Sequence, residues 1–316
     1  MAKYRSDLPT LSDRTFLSDS GLETDLIFHE GIDLPLFASF PLLEDGEGTE
    51  ALRRYYLRHT QVAQDAGVGF VFEAATWRAS RDWASQLGYT EQTLADANRR
   101  AVGILVDLRA QLGEVSGPMV ISAPVGPRGD AYNPAQLMTS EEAQSYHSEQ
   151  IGTLADTDAD LVTAFTITHP AEAIGIVRAA QEADMPVVIS FTVETDGALP
   201  DDTQLKDAIQ EVDRATDSGP AYYGINCAHP THFTDVLDPS AEWTRRIQMI
   251  RANASRMSHA DLDEAEDLDD GDPQEFGREY AQILERSPQM NVLGGCCGTD
   301  VRHVQAVALA CLGGSD

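Results

Sequence analysis

The sequence predicts one (β/α)8 barrel (a TIM barrel) spanning residues 1–316 as a single domain. Three observations carry that expectation: eight short apolar runs, amphipathic helical segments between them, and a 316-residue length that fits the usual barrel of about 250 residues plus insertions. The runs are Phe16 to Asp19, Gly69 to Glu73, Met119 to Ala123, Leu161 to Phe165, Val187 to Thr192, Tyr222 to Asn226, Ile247 to Arg251 and Val292 to Gly295. Each is continuous rather than alternating, as in strands covered on both faces. Apolar spacings of three and four mark helices over Tyr55 to Ala66, Ala97 to Leu112, Ser140 to Ala155 and Val301 to Leu312, the third opened by the capping sequence Thr139-Ser140-Glu141-Glu142. A doubly wound open sheet is the alternative, but Ser20-Gly21-Leu22-Glu23 after the first run is neither a dinucleotide fingerprint nor a P-loop. No internal repeat or low-complexity tract is evident.

With 42% hydrophobic residues and 23% charged, the chain has ample apolar surface to offset its ordering entropy. Its 52 acids against 22 bases give a net charge of -30 and a sequence pI near 4.4. That sign argues against duplex DNA or an anionic membrane surface as partner. Lys3 and Lys206 are the only lysines. Short, strongly hydrated carboxylates spread along the whole chain resemble the surface of a halophile's cytosolic protein, where concentrated salt screens self-repulsion. The N-terminal MAKYRSDLPTLSDR has no apolar core and no run of eighteen uncharged apolar residues occurs, so neither a signal peptide nor a membrane span is expected and the cytoplasm is the expected location. Association between copies of the chain is left open. The acid-rich stretch Asp261 to Asp272 (DLDEAEDLDDGD) reads as a solvated loop or helix face, since it lacks the glycine and glutamate spacing of a calcium loop.

Four cysteines are too few and too unevenly placed for a disulfide framework in a chain this long. Cys227 ends the sixth run in Gly224-Ile225-Asn226-Cys227, and Cys296-Cys297 end the eighth in GGCCGT. In a (β/α)8 barrel these strand ends open onto one face, so three thiols converge. Glycines around the adjacent pair allow a backbone that turns both sulfurs to one point, which two ordinary consecutive strand residues do not. Three thiolates with no obvious fourth ligand are the donor set for zinc with one open position. The simpler alternative is small buried core residues, which is how Cys311, inside the last amphipathic helix, is read. His229 and His232, beyond Cys227 in a proline-containing turn, are expected to face solvent or to make supporting hydrogen bonds rather than to ligate.

At these residues the sequence resembles the homocysteine S-methyltransferase family, zinc (β/α)8 barrels with a G-x-N-C strand end and a G-G-C-C-G turn. The similarity extends over essentially the whole chain, through Phe16 to Asp25 (FLSDSGLETD), Thr76 to Ser80 (TWRAS), Val125 to Asp130 (VGPRGD), Ala159 to Ala173 and Phe191 to Gly197 (FTVETDG). The resemblance implies that Cys227, Cys296 and Cys297 hold zinc and that the thiol of a small-molecule acceptor takes the fourth position. Coordination would favour the nucleophilic thiolate, which attacks the methyl group of a donor: S-methylmethionine, S-adenosylmethionine, betaine or a methylated corrinoid. The resemblance also implies that homocysteine is converted to methionine, with Asp19 at the acceptor's amino group and backbone N–H groups near Gly21 and Leu22 at its carboxylate. Asn226 is expected to orient the metal's surroundings, and Thr76 is a further substrate-contact candidate.

One departure bears on the acceptor. Where the family has a strand-four glutamate in a motif reading F-E-T, this chain has Ala164-Phe165-Thr166, and phenylalanine accepts no hydrogen bond from an amine. Glu73, where the family more often has a small polar residue, is the candidate replacement across the barrel mouth; its alternative is an ion pair with a nearby arginine such as Arg78. Competing functions are a noncatalytic zinc barrel that binds a thiol metabolite, a methyltransferase for another thiol, and a zinc lyase or hydrolase, for which a His or carboxylate ligand is expected.

The charge makes one prediction independent of the site. Thirty uncompensated negative charges repel within a screening length of about 30 Å at 0.01 M salt but only about 3 Å at 1 M. The melting temperature therefore rises by several degrees from dilute to molar potassium chloride; a salt-independent value contradicts the halophile reading.

Overall fold

The computed structural model describes residues 2–113, 117–131, 137–265 and 267–313. Eight parallel strands close into a barrel in sequence order: β1 (Phe16–Ser18), β2 (Gly69–Glu73), β3 (Met119–Val125), β4 (Leu161–Ile167), β5 (Val187–Phe191), β6 (Tyr223–Asn226), β7 (Ile247–Ala252) and β8 (Val292–Gly295). Closure is made where β1 pairs with β8, Phe16 opposite Val292 and Leu17 opposite Leu293. All eight expected strands are present, with ends shifted by at most two residues. The open-sheet alternative is excluded.

Six long helices cross between strands, α1 (Gly46–Ala66), α2 (Glu91–Leu112), α3 (Ser140–Ala155), α4 (Pro170–Glu182), α5 (Leu205–Thr216) and α6 (Pro273–Arg286), and a seventh, α7 (Val301–Leu312), follows β8. Between β6 and β7 the crossover has only the four-residue turn Pro230–Phe233 and a 3₁₀ turn at Trp243–Arg246. Local sequence sets the ends. Thr139 and Glu142 form the expected reciprocal capping box of α3. Asp272, the last residue of the acidic stretch, accepts from the Gln274 and Glu275 N–H groups and so starts α6.

Strand side chains alternate, and the inward series changes character along the barrel axis. Phe16, Val71, Val120, Val188, Met249 and Val292 form an apolar plug inside the barrel. Two residues further on, toward the carboxyl ends, stand Ser18, Glu73, Ser122, Ser190, Arg251 and Gly294. The plug supplies stability, while the carboxyl-side layer is polar and buried, which selects it as the place for chemistry. Gly294 is required there: a Cβ would collide with the Ser18 hydroxyl oxygen and lie 2.7 Å from the Asp19 carbonyl oxygen. Among the described residues no helix is long and apolar enough to cross a membrane.

Candidate metal and substrate site

Cys227, Cys296 and Cys297 present their sulfurs within 4.8 Å of one another, the one such cluster of potential metal ligands among the described residues. Cys227 and Cys297 are 3.8 Å apart, sulfur to sulfur. The convergence demands unusual backbone. Cys227 has φ of 54°, a left-handed conformation that a non-glycine residue adopts only when its surroundings impose it. Its N–H donates to the Arg251 carbonyl, and its carbonyl oxygen lies 3.1 Å from the donating Asn253 Nδ2 and 2.7 Å from His259 Nε2. His259 is in turn fixed by Glu194 at 2.9 Å. The Cys296-Cys297 turn is pinned by Cys296 N–H to the Ala252 carbonyl, Ala254 N–H to the Cys297 carbonyl and Thr299 to the Cys296 carbonyl. Gly298 at φ 77° completes it. Gly21 fits because a Cβ would come within 2.5 Å of the Cys296 carbonyl oxygen.

Asn226 spans from β6 to β4: its Oδ1 accepts from Thr166 N–H at 2.9 Å and its Nδ2 donates to Thr166 Oγ1 at 2.9 Å, with Cys296 Sγ at 3.8 Å. Thr166 also has positive φ, 60°, at a register shift of β4 against β5. The side chain thus ties the bulged end of β4 to the cysteine cluster, in keeping with its expected orienting role. Hydrogen bonds from the Cys227 and Cys297 thiols, helped by the Arg251 charge, hold the Cys296 thiol well below its ordinary pKa, while the same contacts push Cys297 well above. Without a cation the three sulfurs do not all ionise together.

A cavity of about 630 Å³ opens over the cluster. Asp19, Gly21, Leu22, Glu73, Asn226, Cys227, Cys296 and Cys297 all line it. Thr76 is not among its walls; its hydroxyl donates to the Pro124 carbonyl at 2.7 Å and is fully buried. The N–H of Gly21 is directed at Thr299, 3.3 Å from both its carbonyl and hydroxyl oxygens. His229 is buried rather than solvent-facing, near Glu279 at 3.4 Å, and His232 meets the Arg256 carbonyl; neither joins the cluster. Cys311 sits in α7, where burial pushes its thiol up to about 12. In the acidic stretch Asp263, Asp267 and Asp269 are exposed yet border the cavity mouth. Glu266 lies outside the described residues.

Arg251, at the end of β7, is the residue that sequence reasoning missed. Its guanidinium reaches into the barrel mouth, 2.6 Å from Asp19 Oδ1, donates to the Ser18 hydroxyl and the Ser20 carbonyl, and lies 5.2 Å over the Phe165 ring. Burial raises the Asp19 carboxyl to about 6 against the pull of Arg251. Glu73 has no such partner. Arg78, the arginine considered for it, donates instead to the Leu36 carbonyl and stacks on the Trp83 ring at 3.9 Å. Burial pushes Glu73 up to about 8, although Arg251 pulls it down. The Ser122 hydroxyl also lowers it and lies 2.7 Å from Thr163 Oγ1. Glu23, also on the cavity wall, is raised to about 7, chiefly by burial, despite a 2.8 Å bond from Ser39.

Comparison with known proteins decides the family. The homocysteine S-methyltransferase family model matches residues 16–311. The chain belongs to the homocysteine S-methyltransferase family. Within it, the chain is 22% identical to homocysteine S-methyltransferase 2 of Arabidopsis thaliana over 317 residues, covering 92% of this chain and 90% of that one. It is also 22% identical to selenocysteine Se-methyltransferase of Brassica oleracea var. italica, with 92% and 86% covered. The metallated crystal structure of the homocysteine methyltransferase MmuM from Escherichia coli shares the fold, with TM-score 0.73 at 18% identity over 94% of this chain and 96% of that one. The relatives thus include one named for homocysteine and one named for selenocysteine.

The raised Glu73 carboxyl gives a signed prediction. Its folded pKa of about 8 exceeds the unfolded value of about 4.3, so the folded state holds the proton more tightly and Glu73 costs increasing stability as pH rises between those values. Glu73→Gln, neutral throughout, gains on the natural protein across this window by on the order of a few kcal/mol. Thermal melts of both proteins at pH 5 and pH 8.5 in molar salt check this. A difference between them that does not change with pH contradicts it.

Proposed function

We propose that this family member transfers a methyl group to the thiol of homocysteine, giving methionine, with zinc held by Cys227, Cys296 and Cys297. The observation that carries the reading is the convergence of three sulfurs from two non-adjacent strands, within 4.8 Å of one another, on the floor of a substrate-sized cavity. Soft thiolates favour zinc over magnesium or calcium, and three protein ligands are the arrangement that leaves a coordination place open. Zinc, when bound, would supply that open place, where a thiol is favoured in its ionised form at neutral pH.

The chain's own residues do the rest. Asn226 and the backbone around Cys227 fix the sulfur positions, and Asp19 and Arg251 form a buried polar wall. The acceptor's sulfur lone pair forms the new S–C bond while the donor's bond to the same carbon breaks and its electrons remain with the leaving group. A sulfonium or ammonium donor leaves as a neutral molecule. The acidic rim at Asp263, Asp267 and Asp269 favours such a cation over a neutral donor, and a methylated corrinoid is the other donor class. A lyase or hydrolase loses ground because neither His229 nor His232 reaches the sulfurs.

Protein purified without chelator is expected to hold about one zinc per chain, and less than about a tenth of an equivalent with no gain on reconstitution would sink the site. Cys296→Ser and Cys297→Ser lose both the metal and the methylation of homocysteine, whereas Cys311→Ser keeps both. Equal damage from all three would mark the cysteines as packing residues.

A further inference from the structure

We propose that Glu73 receives the ammonium group of the acceptor, so that the cavity selects an amino thiol. The assignment rests on the thiol-methyltransferase reading above and deepens it. Glu73 ends β2 inside the barrel mouth and is only 5% exposed. Neither carboxyl oxygen has a hydrogen-bond partner at ordinary distance, the neighbouring Ser122 hydroxyl lying 2.7 Å from Thr163 Oγ1, and the residue lines the same cavity as Cys296 and Cys297. A buried carboxyl left without a charged partner keeps its proton, as Glu73 does with its pKa raised to about 8, and it gives the proton up when a ligand's ammonium group comes to lie against it.

Among the described residues the two arginines that line the cavity, Arg78 and Arg251, are engaged elsewhere, Arg78 with the Leu36 carbonyl and the Trp83 ring. Arg251 is paired with Asp19 at 2.6 Å and donates to Ser18 and Ser20. That pairing also compensates Asp19, which is consequently a poorer receptor for an incoming amine than Glu73. Phe165, at the inward position on β4, presents only a ring, and that ring is covered by Arg251. The positive group that satisfies Glu73 therefore comes from the molecule that fills the cavity. Because the sulfur cluster forms another part of the same wall, one molecule carrying a thiol and a primary ammonium satisfies both.

Calorimetric titration of the zinc-loaded protein in molar salt at pH 7 tests this with three probes: homocysteine, 3-mercaptopropylamine, which lacks the carboxylate, and 4-mercaptobutanoate, which lacks the amine. In the natural protein 4-mercaptobutanoate binds about 10- to 100-fold more weakly than homocysteine, the scale of one charge-assisted hydrogen bond, while 3-mercaptopropylamine retains the amine-dependent gain. Glu73→Gln weakens both amines by about that factor, leaves 4-mercaptobutanoate unchanged and keeps its zinc. Glu73→Gln with all three probes weakened alike, or with none weakened, overturns the assignment, as does equal binding of 4-mercaptobutanoate and homocysteine to the natural protein. If none of the three thiols binds the natural protein, the acceptor reading falls and the assignment falls with it.

Discussion

Everything at the mouth of this barrel depends on bringing three thiol sulfurs together from strands β6 and β8, with β7 between them. Cysteine is small, and two consecutive strand residues face opposite ways, so the geometry is reached only by leaving regular strand conformation. The protein does so at Cys227, whose left-handed backbone is held by donors from Asn253 and His259, and in the turn through Gly298. These are the places where a sequence optimised for stability alone would not spend strain. Around them, Asn226 ties the bulged end of β4 to the same centre, so the sulfur positions are coupled to four strands rather than to one loop.

The charges above the sulfurs form a second layer with its own logic. Arg251 neutralises Asp19 in a pair that is almost fully buried, and such a pair contributes position more dependably than stability. Glu73, by contrast, is a buried acid neither of whose oxygens is bonded to a charged group. The exposed acids of the 261–272 stretch stand further out, where concentrated salt screens them. In the proposed function the inner acids meet the ligand at contact distance, while the outer ones set the field through which a cationic donor approaches.

Much of this was legible in the sequence. The eight apolar runs fall on the eight strands because doubly covered parallel strands are mostly apolar outside the inward layer near their carboxyl ends, and Thr139-Ser140-Glu141-Glu142 announces α3 because capping is local chemistry. The cysteine cluster was legible because the barrel's symmetry sends the carboxyl ends of its strands to one face. Arg251 was not: it ends an apolar run, and nothing local distinguishes a strand-terminal arginine that turns inward from one that meets solvent. The same limit applied to Glu73, whose expected alternative partner Arg78 is sequence-near but engaged by Leu36 and Trp83. Thr76 lies in a family-like segment yet spends its hydroxyl on the Pro124 carbonyl, a contact with a residue 48 positions away that no local pattern encodes.

The central claim is that the three cysteines hold a metal with one place kept for the acceptor's sulfur. Zinc-edge X-ray absorption of the purified protein, recorded with and without homocysteine, tests it most directly. Three sulfur donors and one lighter donor are expected before homocysteine is added, and four sulfur donors afterwards. A sulfur count that stays unchanged on adding homocysteine, or histidine nitrogen among the donors, would contradict it.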